Sequence, residues 1–113
     1  MRVKRGTTTH QKHKKILGLA KGYRGGRSKL IKQAKEAVMH AGADAYRGRK
    51  EKKRVNRSLW ITRISAALSQ ENLSYSKFIA GLKKKNIELD RKIISQIAIE
   101  DPEAFRDLVK KVS

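Results

Sequence analysis

The chain has 113 residues, enough for one small domain with an extension, and carries 29 Lys/Arg against 10 Asp/Glu, a net charge of +19. Self-repulsion at that charge opposes a compact state, so we expect a polyanionic environment: RNA, DNA or an anionic membrane. The absence of cysteine excludes disulfides, thiolate metal sites and thiol nucleophiles. Because the sequence has neither an apolar run of about 18 residues nor a signal-peptide core, we expect a protein kept in a reducing compartment.

The first part of the chain is predicted to be extended and then helical. Residues 1–6 have no periodicity, and residues 7–9 are threonines that offer N-caps for a helix over residues 10–21. Gly22 is expected to end that helix in the left-handed conformation, which glycine adopts most easily. Residues 23–27 are predicted to form a flexible connector.

A second, much longer helix is predicted to follow. Ser28 is expected to cap it, and residues 29–70 contain no proline and repeat apolar residues at helical spacing from Leu30 onward. Gly42 and Gly48 leave a bend in this helix open.

Residues 47–58 of the long helix hold seven Lys/Arg and a single apolar residue, Val55. A helix that is polar all round is solvated, bridges domains or is held by a partner. Like charges at i,i+4 repel one another, and surrounding phosphates would reverse that repulsion. This stretch therefore indicates a helix that is completed by a polyanion.

The last part of the chain is predicted to be a small helical bundle. The end of the long helix is followed by helices expected to start at Ser74 or Ser76, at Asp90, and at Asp101 with Pro102 in the first turn. The apolar residues expected to face its core are Leu59, Ile61, Ile64, Ala67, Leu68, Phe78, Ile79, Leu82, Ile93, Ile94, Ile97, Phe105, Leu108, Val109 and Val112. With no convincing strand pattern, the predicted fold class is all-α.

The charge divides the chain unevenly. Residues 1–57 hold 19 Lys/Arg and three acids, a net of +16, whereas residues 58–113 hold 10 Lys/Arg and seven acids, a net of +3. We interpret residues 1–57 as a basic binding arm and residues 58–113 as a small folded domain.

Residues that could support catalysis or metal binding have simpler explanations. His10 and His13 are spaced i,i+3, but no cysteine or nearby carboxylate completes a zinc site. Several serines fall at expected helix caps. A phosphate-binding loop would follow an apolar strand, and no such strand precedes the glycine-rich residues 22–26. We therefore expect no enzyme activity, metal, cofactor or small-molecule substrate.

Aromatic residues among the cations are the remaining signal. Tyr23 lies between Lys21 and Arg24, and Tyr46 precedes Arg47. Each tyrosine could stack on an exposed base or pack against a neighbouring helix, and the sequence does not separate the two. For Trp60 an edge position on the bundle core is favoured.

Among polyanions, RNA fits the pattern best. A membrane-surface helix needs an apolar face opposite its basic one, and a leucine-zipper DNA binder needs apolar heptads after its basic region. A helix-turn-helix DNA regulator using residues 74–112 is the alternative, although that half is nearly neutral. RNA can surround an arm with phosphate on several sides.

Seven short sequence motifs occur in order along the chain: KRG at 4–6, HKKIL at 13–17, AKGY at 20–23, AYR at 45–47, LWITRI at 59–64, LSYSKFIAGLKK at 73–84 and IELDRK at 87–92. In these motifs, and in their order and spacing, the chain resembles the bacterial-type large-subunit ribosomal protein twenty family over essentially its whole length. It departs from the family pattern after Met1, at Leu30 and Ile31, and after Val112.

The resemblance implies an all-helical protein whose arm threads into large-subunit ribosomal RNA and whose C-terminal domain docks on another RNA surface. It implies a role early in subunit assembly, neighbouring large-subunit ribosomal proteins as partners, and for some members repression of their own messenger. The expected location is the ribosome in bacterial cytoplasm, with an organellar ribosome as the alternative.

The resemblance also implies particular RNA contacts. Those in the arm and the following helical turns are Lys4, Arg5, Lys14, Lys15, Lys21, Tyr23, Arg24, Tyr46, Arg47, Arg49, Lys50, Lys53, Arg54, Arg57, Trp60 and Arg63. Those in the C-terminal domain are Ser74, Tyr75, Ser76, Lys83 and Lys84.

Overall fold

The computed structural model describes residues 6–113, and that range contains five α-helices, one 3-10 helix and no strand. The elements in chain order are α1 (Thr8–Leu19), the 3-10 helix (Gly25–Ser28), α2 (Ile31–Gln70), α3 (Tyr75–Lys84), α4 (Arg91–Glu100) and α5 (Pro102–Val112). The predicted all-α class is confirmed. Of the helices in the described range, none combines the length and apolar character needed to cross a membrane.

The chain divides into two compact units, Met1–Lys50 (unit 1) and Glu51–Ser113 (unit 2). Helix α2 begins in unit 1 and ends in unit 2, and it is α-helical through both Gly42 and Gly48. The functional division into an arm over residues 1–57 and a domain over residues 58–113 stays a prediction.

Helix α1 ends through backbone geometry. Its C-cap is Ala20, whose carbonyl accepts a hydrogen bond from the Tyr23 N–H at 3.0 Å. Gly22 has a φ of +91°, the left-handed conformation expected for it. At the other end, Thr7 is the N-cap but makes no side-chain capping bond.

The connector after α1 is more regular than predicted. Residues Gly25–Ser28 form a 3-10 helix, in which the Ser28 hydroxyl donates to the Gly25 carbonyl at 3.1 Å. The prediction that Ser28 caps the long helix is wrong, because its hydroxyl closes this local turn and α2 begins only at Ile31.

Residues 6–50, the described part of unit 1, bury very little. Ala20 and Ala34 are the buried hydrophobic residues among those described in this unit, whereas Leu30 is 56% exposed. Leu30 was expected to open the apolar stripe of the long helix, but it precedes α2 and faces solvent. The described part of unit 1 therefore holds two small buried side chains and no larger apolar cluster.

Unit 2 has a hydrophobic core drawn from four helices. Eight buried residues form it, and the rings of Phe78 and Phe105 meet at 5.9 Å between centroids, tilted by 45°. The eight are Ile64 and Leu68 of α2, Phe78 and Leu82 of α3, Ile94 of α4, and Phe105, Val109 and Val112 of α5. All eight were predicted core positions. The predictions for Leu59 and Ile93 are wrong, since these are 43% and 42% exposed, and so is that for Ile61, which is half-buried but outside both the core and the residues packed against it.

Local capping sets the helix starts in unit 2. The Ser74 hydroxyl accepts from the Lys77 N–H at 3.5 Å, and the Asp90 carboxylate accepts from the Ile93 N–H at 2.8 Å. The Asp101 carboxylate accepts from the Ala104 N–H at 3.0 Å, with Pro102 as the first residue of α5. These three predicted starts are confirmed.

Helices α3 and α5 approach closely at Gly81. A Cβ atom at Gly81 would collide with the Val112 Cγ1 atom and lie 2.8 Å from the Val112 carbonyl oxygen. Glycine at this position therefore permits α3 to pack closely against the core residue Val112 of α5.

Candidate nucleic-acid interface

The predicted contacts in and around α1 are exposed cations. Lys14 and Lys15 are exposed in α1, and Lys21 is exposed in the turn that follows. Lys4 and Arg5 lie outside the described residues. The described lysines are free of packing roles, so their ammonium groups can meet phosphate.

Tyr23 and Arg24 lie where the chain turns between α1 and α2. Tyr23 is half-buried, Arg24 is exposed, and both line an open groove of about 970 Å³. This groove brings the turn residues opposite a face of α2 that carries Glu36 and Asp44.

Tyr46 and Lys50 form the most defined pair in the basic stretch of unit 1. The Lys50 Nζ atom lies over the Tyr46 ring, 4.7 Å from its centroid, and Tyr46 is 59% exposed. Arg47 pairs with Asp44 at 2.8 Å, and Arg49 is exposed. At an exposed site such a cation–π contact contributes about 0.5–1 kcal/mol.

In unit 2, four predicted contacts are exposed cations on α2: Lys53, Arg54, Arg57 and Arg63. The fifth predicted contact on α2, Trp60, is half-buried and lies outside both the eight-residue core and the partly buried residues packed on it, so the prediction that it lies at the edge of the bundle core is wrong. Lys53 and Arg57 are four residues apart, so they lie one above the other on the same face of the helix.

The predicted contacts in α3 have mixed surroundings. The Ser74 hydroxyl serves as a cap, and the Tyr75 hydroxyl accepts from the Arg91 Nε at 2.8 Å while its ring packs against the core. Ser76 is exposed, as are Lys83 and Lys84 in the last turn of α3, where cations also stabilise the helix dipole. Tyr75 thus also has a packing role, which was not predicted from the sequence.

Some exposed polar residues near these positions were not predicted as contacts. Arg27, Glu36 and His40 line the same groove as Tyr23. The spacing of Glu36, His40 and Asp44 at i, i+4 and i+8 indicates one helix face, and that pattern could have drawn attention to them.

The arrangement suits a phosphate-rich surface. Of the 19 described residues predicted as contacts, 14 present a charged or aromatic group as exposed side chains, and 13 of those are cations that are not neutralised by a comparable number of acids. Such cations can hold phosphate oxygens through charge-assisted hydrogen bonds.

Comparison with known proteins gives consistent matches over the chain. Residues 2–108 match the family model described as Ribosomal protein L20. The chain is 58% identical to the Large ribosomal subunit protein bL20 of Burkholderia cenocepacia (strain HI2424) over 111 residues, which covers 98% of this chain and 93% of that protein. The proteins of the same name from Burkholderia mallei (strain SAVP1) and Burkholderia vietnamiensis (strain G4 / LMG 22486) match with the same identity and coverage.

Proposed function

This chain belongs to the ribosomal protein L20 family, and from that premise we propose that it binds large-subunit ribosomal RNA directly and promotes early assembly of the subunit. Family membership makes it a structural constituent of the large ribosomal subunit rather than an enzyme. The RNA contacts and the assembly role are the parts that we propose.

The observation that carries the proposal is the excess of positive charge in residues 1–57. Residues 1–57 have a net charge of +16, and unit 1 buries only Ala20 and Ala34 among its described residues. Such a segment repels itself in water, and its described part buries little apolar surface of its own to offset that repulsion. Phosphates between its cations turn that repulsion into attraction, so RNA supplies the partner that the segment lacks.

Affinity and selectivity have different sources in this proposal. Cation–phosphate contacts fix position and supply most of the affinity but carry no sequence information. Selectivity then comes from stacking by Tyr23 and Tyr46, and from the shape of unit 2 with Lys83 and Lys84 on its surface.

The proposed setting is the large subunit of a bacterial ribosome in the cytoplasm, with neighbouring large-subunit proteins as further partners. The relatives compared are bacterial, which favours a bacterial over an organellar ribosome.

The test is a salt titration of the full chain on purified large-subunit ribosomal RNA. If about ten phosphates are neutralised, the log–log plot of affinity against salt should have a slope on the order of −7 to −9. A slope near zero would remove the electrostatic account. Tighter, sequence-specific binding to duplex DNA would favour the helix-turn-helix alternative.

Variants locate the interface. Replacing Arg47, Arg49, Lys50, Lys53 and Arg54 together by Gln should make the slope shallower by roughly 3.5 to 4.5 and impair subunit assembly. With binding at 1 M salt unchanged, that weakens binding on the order of a thousandfold at 0.15 M. The matched control removes five exposed cations that are not predicted contacts: Lys77, Lys85, Lys92, Lys110 and Lys111. Equal losses in both variants would mean that net charge alone matters.

A further inference from the structure

The groove beside Tyr23 is the least basic part of a very basic segment. The turn after α1 forms one side of it with Tyr23, Arg24 and Arg27, and α2 forms the other with Glu36, His40 and Asp44. Its volume of about 970 Å³ is at the upper end of the roughly 300–1,000 Å³ that ligand sites occupy. All of its lining residues belong to unit 1.

Small residues keep the groove open. Gly22 lines one side, and Ala37 and Ala41 line the α2 side, one turn apart. Their side chains are too short to fill the space between the turn and the helix. The groove is therefore a concavity with an aromatic wall rather than a seam closed by packing.

The charges in the groove distinguish it from its surroundings. Residues 1–57 contain only three acids, and two of these, Glu36 and Asp44, line the groove and offset Arg24 and Arg27. Asp44 is paired with Arg47 at 2.8 Å. Within residues 6–113, Glu36 makes no hydrogen bond or ion pair, so its carboxylate is free to accept.

Neither phosphate nor a metal ion suits this set of groups. Two carboxylates repel a phosphate, which has better sites among the cations nearby. Glu36 and Asp44 are eight residues apart on one helix, about 12 Å, whereas metal–oxygen bonds measure about 2.0–2.6 Å. No group of three or more potential ligands that could hold a metal occurs among the described residues.

We infer that this groove, on the premise of the proposed function, receives one unstacked guanine of the ribosomal RNA. The Watson–Crick edge of guanine presents two adjacent N–H donors, which the two oxygens of the Glu36 carboxylate accept together. The Tyr23 ring stacks on the base, and Arg24 and Arg27 hold the flanking phosphates.

The sign of one substitution tests this inference. Removing an acid from a protein that binds a polyanion should strengthen binding or leave it unchanged. Glu36→Gln should instead weaken binding of the full chain to purified large-subunit ribosomal RNA by on the order of tenfold or more, because the amide places a donor against a guanine donor. The salt slope should not change, since no phosphate contact is lost.

The control is Glu51→Gln, the same substitution at the third acid of the segment, which does not line the groove. It should bind RNA at least as tightly as the unchanged chain. If Glu36→Gln also binds at least as tightly, the guanine site is refuted while the proposed function stands. If the unchanged chain fails to bind the RNA with a steep salt slope, the proposed function itself fails.

A second measurement identifies the occupant. Tyr23 is replaced by a photoreactive phenylalanine derivative, large subunits are assembled with this chain, and the crosslinked product is mapped. A crosslink to a guanosine outside a regular helix supports the inference. A crosslink to another nucleotide or to a ribosomal protein overturns it.

Discussion

Unit 1 and unit 2 carry almost the same number of cations, 15 and 14 Lys/Arg respectively. They differ in their acids, two against eight, and in what they bury: two alanines among the described residues of unit 1, against an eight-residue core in unit 2. Unit 1 is therefore distinguished less by extra cations than by its few acids and by the lack of a buried apolar cluster among its described residues. In unit 2 acids cap helices and form ion pairs, as Asp90, Asp101 and Glu71 do.

The largest expected effect of a single change on folding lies in the core. Phe78→Ala should lower the free energy of unfolding of unit 2 by about 3–5 kcal/mol, because Phe78 is fully buried against Phe105. A unit of this length has roughly 3–9 kcal/mol in total, so much of its helix should be lost on mild heating. Circular dichroism at 222 nm during thermal unfolding measures this.

The counterpart in unit 1 is Tyr46→Ala, which removes an aromatic ring that is 59% exposed. The melting transition should stay where it is, although RNA affinity should fall. Similar destabilisation by both substitutions would erase the distinction between the units.

A smaller effect is expected from a single methyl group. Gly81→Ala should destabilise unit 2 by about 1–3 kcal/mol, since the new Cβ meets both the side chain and the carbonyl of Val112. Gly48→Ala should instead stabilise α2 by roughly 0.5–1 kcal/mol, because its Cβ would have open space inside a helix. Urea unfolding of the two variants compares them, and shifts of the same sign would contradict the close approach at Gly81.

The last of these changes removes a helix cap. Asp90→Ala should lower the free energy of unfolding by about 0.5–2 kcal/mol, because the carboxylate satisfies the Ile93 N–H at 2.8 Å. Thr7→Ala is the matched change in unit 1, where the side chain makes no capping bond, and it should be nearly neutral. Amide exchange at the first turns of α4 and α1 measures both effects. A larger effect at Thr7 would contradict the conclusion that the Asp90 side chain caps its helix and the Thr7 side chain does not.

The helix starts of unit 2 could be predicted from sequence because a cap is a local interaction. Ser74, Asp90 and Asp101 each bond to a backbone N–H three residues on. The prediction that Ser28 caps the long helix is wrong for an equally local reason, because its hydroxyl donates to the Gly25 carbonyl within a 3-10 turn. Helical spacing identifies the buried face of a helix but not where its neighbours end, which is why Leu59 and Ile93 were misplaced.

The candidate site was predictable in its charge but not in its shape. The Lys and Arg residues and the tyrosines among them are evident from composition, and their exposure in the structure agrees with a surface role. The groove required knowledge that residues 22–27 lie opposite Glu36 and His40. That proximity depends on the tertiary structure, so the spacing of residues within 22–27 or within α2 does not predict it.

The scarcity of buried side chains in the described part of unit 1 bears on the fate of copies made in excess. Backbone with few buried contacts opens locally at low free-energy cost, and proteases that cut after Lys or Arg then find many cleavable bonds there. If the proposed function holds, ribosomal RNA shields those bonds once it covers them. Degradation would then begin in unit 1 of unassembled chains, and turnover would match the supply of this protein to that of the RNA.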